Sequence, residues 1–164
     1  MLERYLKNRR KIQSVHADPA HAGEKFRGKA VSVQRVCDMI QPGQRIYISS
    51  GPAIPARTIS AILESDNHNI QDLEIIQLIT LGKYLSQDET RSRKYRLKTF
   101  NVGESISKEL SMGRVDFIPA NLIEIPGILS SGAVGVDIAI VQTSPPDERG
   151  FMSLGVAVDV ANII

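Results

Sequence analysis

Residues 45–55 read Arg45-Ile46-Tyr47-Ile48-Ser49-Ser50-Gly51-Pro52-Ala53-Ile54-Pro55, and the fold turns on how that stretch changes character. Its first half, RIYISS, carries the β-branched and aromatic residues that suit a pleated strand. The polar and glycine-bearing SSGPAI is a loop, and Pro55 suits the first turn of a helix reaching Glu64. Upstream, Val33, Val36, Cys37 and Ile40 recur at helical spacing behind a candidate N-cap, Ser32, and the turn QPGQ (41–44) closes that helix. Downstream the pattern returns. Residues 73–79 (LEIIQLI) form a strong strand and 97–102 (LKTFNV) a weaker one. A helix over 103–112 (GESISKELSM) ends at Gly113, a short strand covers 115–119, and a helical turn covers 126–131. The clearest strand is 136–143 (VDIAIVQT). Apolar runs this continuous are buried on both sides, and strands separated by helices imply crossovers. The expected class is α/β: a mostly parallel sheet with helices on both faces.

At 164 residues the chain has the size of one domain and can bury a sizeable core. Hydrophobic residues make up 42% and charged ones 23%, which excludes disordered and fibrous classes. With no Trp, four Phe and four Tyr, the core rests on Ile, Leu and Val. Cys37, the single cysteine, forms no internal disulfide and no CxxC pair; it sits on the apolar stripe of its helix and fits a reducing, cytoplasmic compartment. No stretch approaches the ~20 apolar residues of a membrane span, and the charged start is no secretory signal. Net charge is +2, but the first thirty residues carry eight Lys and Arg against three Asp and Glu. The basic excess therefore belongs to an arm, residues 1–29, read as a short charged helix at 2–11 and a linker over 16–29. The domain proper, 30–164, is slightly acidic, which argues against nucleic-acid binding. Val160-Ala161-Asn162-Ile163-Ile164 reads as a helix just beginning, so truncation at the carboxyl end is expected.

Chemistry in parallel α/β sheets gathers where strands give way to loops, because free N–H groups and helix amino termini favour anions there. Ser49, Ser50 and Gly51 hold that position after the first strand, and Thr80-Leu81-Gly82 hold it after LEIIQLI. A third loop, residues 144–155, contains Ser144, Pro145, Pro146, Asp147, Gly150 and Ser153; its prolines stiffen the exit from the last strand and Gly150 supplies a turn. Neither GxGxxG nor GxxxxGK[ST] occurs. His16, His21 and His68 have no carboxylate at useful spacing, and no Ser-His-Asp, Cys-His or metal-ligand grouping emerges, so no metal or tightly bound cofactor is expected. The basic run Arg91, Arg93, Lys94, Arg96 and Lys98 around Tyr95 is either a solvated face or a contact for phosphates or another subunit.

Four segments together carry a resemblance: SVQRVCDMIQPGQRIYISSG (32–51), PARTISAIL (55–63), GRVDFIPANLIEIPGIL (113–129) and VDIAIVQTSPPDERGFMSLGVAVD (136–159). Their order resembles the amino-terminal half of the acetyl-CoA hydrolase/transferase family, among the family I CoA-transferases, which includes 4-hydroxybutyrate and succinyl-CoA:acetate CoA-transferases. The resemblance implies the first of two related α/β domains of the NagB/RpiA-like kind. It implies a glutamate that attacks an acyl-CoA thioester and then carries CoA as a glutamyl-CoA thioester, with coenzyme A a substrate rather than a resident group. That glutamate lies in the family's second half and has no match here; Glu64, Glu104, Glu109, Glu124 and Glu148 stand in helices or turns without its motif. The resemblance makes Ser50, Gly51 and Thr80 the carboxylate-binding candidates, with the Ser144–Ser153 loop supporting the site and the domain contact. The family's GG or SG before the proline-containing helix stands here as SSGPAIP, an imperfect match.

The expected partners are an acyl-CoA, a small carboxylate, the carboxyl-terminal domain in cis or in trans, and further copies of the chain. Two other readings stay open: a non-catalytic subunit completed by a partner chain, and a generic small-molecule-binding α/β module.

Overall fold

Strands with apolar residues on both faces need cover on both sides, and the chain supplies it with helices between the strands. The computed structural model describes residues 28–80, 94–104 and 106–164. In order these are α1 (Val33–Met39), β1 (Arg45–Ile48), a 3₁₀ turn (Gly51–Ala53), α2 (Ala56–Glu64), β2 (Leu73–Ile79), β3 (Tyr95–Asn101), α3 (Ser107–Ser111), β4 (Val115–Phe117), α4 (Ile125–Ser130) and β5 (Ile138–Ile140). The arm helix and most of the linker, His16, His21, Leu81, Gly82, Arg91 and Arg93 lie outside the described residues. By contact density the chain forms two units, residues 31–143 with 154–164, and residues 1–30 with 144–153.

The sheet runs β4-β3-β2-β1-β5 with every neighbouring pair parallel. Period-two alternation sorts its side chains. Ile46, Ile48, Leu73, Ile75, Tyr95, Leu97 and Val115 meet Cys37 and Ile40 of α1, Ile59, Ile62 and Leu63 of α2, and Ile106 beside α3. Tyr47, Ile76, Leu78 and Phe100 face the other way, onto Ile125 of α4 and Val160. Helices thus cover both faces, as expected.

Local chemistry sets the element ends. Ser32 Oγ accepts the Arg35 N–H at 3.2 Å and caps α1. Lys94 Nζ donates to the carbonyls of Leu63 and Ser65 at 2.8 and 3.0 Å, satisfying the carboxyl end of α2. The described part of the basic run is committed within the fold: Lys98 pairs with Glu74 at 2.9 Å, Arg96 lies 3.7 Å from Asp116, and Tyr95 is buried.

Four segments depart from expectation. β3 is longer than its sequence suggests, because Arg96 and Lys98 find carboxylates on its neighbours and no longer weaken the strand. α3 spans only Ser107–Ser111. The clearest strand of the sequence shrinks to Ile138–Ile140, half-buried, since β5 stands at the sheet margin and, among the described residues, pairs with β1 alone. Residues 160–164 form turns rather than a helix, with i→i+3 bonds from Ala161 to Val158 and from Ile163 to Val160.

Two polar fastenings hold β1 to distant sequence. Arg45 donates from Nε and a terminal nitrogen to the Asp137 carboxylate at 2.9 and 2.7 Å, and its backbone N–H adds a third bond at 2.8 Å. Gly135 lies so close against the guanidinium that a Cβ there would overlap it. Tyr47 OH donates to Asp159 Oδ2 at 3.1 Å; burial, then the neighbouring carboxylate, raises the phenol far above its ordinary pKa.

Two tests follow from this arrangement. Ile76 is fully buried, and Ile76→Ala is expected to lower unfolding free energy by about 2–5 kcal/mol in urea titrations, whereas Met39→Ala, on an exposed side chain, changes little. The hydrogen bonds from Arg45 hold the Asp137 carboxyl at about 2, below the ordinary carboxylate range. A depressed carboxyl stabilises the folded state above its unfolded pKa and loses that contribution as pH falls toward the folded value. Asp137→Asn, or Gly135→Ala acting through a displaced guanidinium, should therefore remove part of the stability loss seen between about pH 4 and pH 2 in acid-unfolding curves.

Candidate functional site

Chain order sets where a crevice forms. From β1 the chain winds outward through β2, β3 and β4, then returns to place β5 on the opposite flank of β1. The reversal lies between β1 and β5, the position at which open α/β sheets bind ligands beyond the carboxyl ends of their strands.

At those carboxyl ends the apolar core gives way to a belt of buried polar side chains: Ser49, Ser50, Gln77, Thr80 and Thr99, all 4% exposed or less. Ser49 spans the reversal. Its backbone N–H reaches the Ile140 carbonyl at 3.1 Å, its hydroxyl donates to the Ala53 carbonyl at 2.7 Å, and the same oxygen accepts the Gln142 N–H at 3.2 Å. Ser50 Oγ accepts the N–H groups of Leu78 and Ile79 at 2.9 and 3.3 Å, which leaves its own hydrogen to donate. Thr80 donates to Gln77 Oε1 at 2.9 Å, and Gln77 Nε2 donates to the Ser49 carbonyl at 3.3 Å. Thr99 donates to the Asn101 carbonyl at 2.9 Å, with the Leu78 carbonyl 3.4 Å from the same oxygen. Among the described residues no buried side-chain nitrogen or oxygen lacks a partner.

The loop after β1 is therefore a neighbour of the carboxyl end of β2, joined through Ser50 to Leu78 and Ile79 and through Ser49 to Gln77. Gly51 takes φ +59 to open the 3₁₀ turn, a conformation that favours glycine. After Pro55, α2 starts at Ala56 with no side-chain cap, its amino end following the same loop.

The loop over residues 144–153 is braced by its own bonds. Asp147 accepts from the N–H groups of Arg149 and Phe151 at 2.9 and 2.8 Å, and its N–H reaches the Phe151 carbonyl at 3.0 Å. Ser144 closes the base, its N–H to the Ser153 carbonyl and its Oγ accepting the Ser153 N–H, both at 2.9 Å. Gly150 turns the tip at φ +91, and Phe151 and Met152 are exposed. Pro145 and Pro146 lie in its ascending limb. His68 is exposed in a surface turn, and Cys37 is free and buried in the core. Among the described residues no group of three or more His, Cys, Asp or Glu is placed to hold a metal, and no helix is long and apolar enough to cross a membrane.

Sequence reading missed Gln77 and Thr99 as members of the belt. A glutamine inside the apolar run LEIIQLI was the available sign, since a buried amide needs partners.

Residues 14–164 match the acetyl-CoA hydrolase/transferase N-terminal domain, and the chain belongs to that family. It is 26% identical over 136 residues to the 4-hydroxybutyrate coenzyme A transferase of Clostridium kluyveri, covering 83% of this chain and 32% of that protein. It is 31% identical over 122 residues to the succinyl-CoA:acetate/propanoyl-CoA:succinate CoA transferase of Fasciola hepatica, covering 74% of this chain and 25% of that one. Thus the chain spans a third or less of the length of these relatives. The fold is shared with RipA from Yersinia pestis at a TM-score of 0.68 and 20% identity, over 80% of this chain and 33% of that one. A point mutant of RipA superposes at 0.73 with 20% identity, over 85% and 34% of the two chains.

Ser50→Ala deprives two buried N–H groups of their acceptor. It is expected to cost about 1–3 kcal/mol in denaturant unfolding, and amide exchange at Leu78 and Ile79 is expected to accelerate against the rest of β2.

Proposed function

We propose that residues 30–164 form the carboxylate- and acyl-binding domain of an acyl-CoA:carboxylate CoA-transferase or acetyl-CoA hydrolase, whose attacking glutamate comes from outside these 164 residues. The supporting observation is the belt of hydroxyl-bearing side chains at the carboxyl ends of β1 and β2, in a chain that matches the family's N-terminal domain. No described glutamate stands in the loop after β1 or at the end of β2. Glu74, inside β2, is paired with Lys98, and Glu124 accepts from Asn121.

In this reading the glutamate carboxylate adds to the thioester carbonyl and expels CoA as its thiolate, leaving a mixed anhydride. The thiolate then attacks the glutamyl carbonyl, forming glutamyl-CoA and releasing the acyl group as a carboxylate. An acceptor carboxylate reverses those steps to make a new acyl-CoA, or water cleaves glutamyl-CoA. Ser50, Gly51 and Thr80 line the end of the pocket that holds the acid. The Ser50 hydroxyl hydrogen and the Gly51 N–H stabilise its oxygens, placed beforehand by the bonds that fix the loop, since the Ala53 and Ile54 N–H groups close the turn itself. The braced 144–153 loop, with Phe151 and Met152 at its surface, is a contact for the companion domain. The complete enzyme is cytoplasmic and homo-oligomeric.

The full-length protein is expected to release CoA from acetyl-CoA and, under turnover, to form a glutamyl adduct that hydroxylamine or borohydride captures. Residues 1–164 alone should show neither. Absence of both CoA release and adduct from the full-length protein would overturn the reading, and turnover by residues 1–164 alone would overturn the assignment of the nucleophile.

A further inference from the structure

We infer that Gln77 is a positioning residue for carboxylate recognition, setting the direction of the Ser50 N–H and the state of Thr80 from beneath the pocket; this rests on the function proposed above. Gln77 is fully buried, so its amide does not itself reach a ligand. Both ends of that amide are engaged. The Ser49 carbonyl can only accept, which obliges the amide nitrogen to face it at 3.3 Å and the amide oxygen to face Thr80 at 2.9 Å. Thr80 is then held as a donor toward Gln77, with its lone pairs turned elsewhere.

The Ser49 carbonyl and the Ser50 N–H belong to one planar peptide unit, which is trans. In a trans peptide the two groups point in opposite directions, so drawing the carbonyl toward Gln77 aims the Ser50 N–H away from it. Ser49 carries the constraint onward, to Ala53 in the 3₁₀ turn and to Gln142 after β5. One buried amide thereby holds three segments in register: the loop after β1, the end of β2 and the exit from β5. Gln77 also pairs in register with Thr99 of β3, which ties its backbone into the sheet interior.

The test uses the full-length protein, with acetate affinity read as acceptor KM where acetyl groups are transferred and as a product-inhibition constant where acetyl-CoA is hydrolysed. Gln77→Met keeps the volume and removes both bonds; acetate affinity should fall by about tenfold, the weight of one hydrogen bond, while KM for acetyl-CoA stays within about twofold. Gln77→Glu keeps the shape. Its protonated carboxyl donates to Ser49 and accepts from Thr80, whereas its carboxylate repels the Ser49 carbonyl. The ratio of Gln77→Glu to wild-type acetate affinity, measured at the same pH, should therefore approach one at acid pH and fall as pH rises.

The inference is overturned if acetate and acetyl-CoA constants move together, if neither moves, or if both variants fail to fold and so mark Gln77 as a purely structural residue. Wild-type protein without thioester turnover would instead defeat the underlying function. Active wild type with unshifted variants defeats only the role of Gln77.

Discussion

Parallel strands that end inside a protein leave amide groups that water does not reach, and the whole carboxyl edge of this sheet is organised by that constraint. Each unsatisfied buried group would cost on the order of 1–3 kcal/mol, so the strand ends are closed with side chains. Ser50 accepts two N–H groups of β2, Ser49 ties β1 to the exit from β5, and Thr99 closes the Asn101 carbonyl at the end of β3. The same requirement that makes the fold possible places hydroxyls and a carboxamide at the β1/β5 reversal, where open α/β sheets take their ligands. Structure and recognition therefore draw on one set of residues.

The two apolar layers explain why the belt is narrow. Ile46, Ile48, Leu73 and Ile75 fill one side and Tyr47, Ile76 and Leu78 the other, leaving polar side chains only beyond the last core residues of each strand. Gln77 and Thr99 are the exceptions inside strands; Gln77 is tolerated because Ser49 and Thr80 satisfy both ends of its amide, and Thr99 because its hydroxyl donates to a backbone carbonyl. Arg45 with Asp137 performs the corresponding service at the amino edge, where solvent shares the work.

Much of this was legible in the sequence because periodicity reports burial directly. LEIIQLI marks β2 to the residue, Ser32 marks the start of α1, and the glycine-proline loop after RIYISS marks the beginning of a crossover helix. The family was legible from SPPDERGFMSLG and VDFIPANLIEIP in combination. Where sequence reading fell short, the cause was pairing between distant positions. Composition made LKTFNV look weak, but Glu74 on the adjacent strand neutralises its Lys98, and Asp116 stands beside Arg96, which extends the strand. VDIAIVQT looked like a fully buried strand because apolar content does not reveal that a strand stands at the margin of its sheet. Ser50 and Thr80 could be placed at strand ends, yet nothing in their spacing showed that Ser50 bonds to the end of β2 or that Gln77 links Ser49 with Thr80.

Both outer strands, β4 and β5, are three residues long. Each carries an aspartate at or next to its paired segment, Asp116 within β4 and Asp137 just ahead of β5. A foreign chain seeking to extend the sheet would find only a brief row of hydrogen-bonding groups and a paired aspartate beside it. The brevity of its two described margins, each held by an arginine–aspartate pair, makes this isoleucine-laden sheet a poor seed for amyloid-like growth.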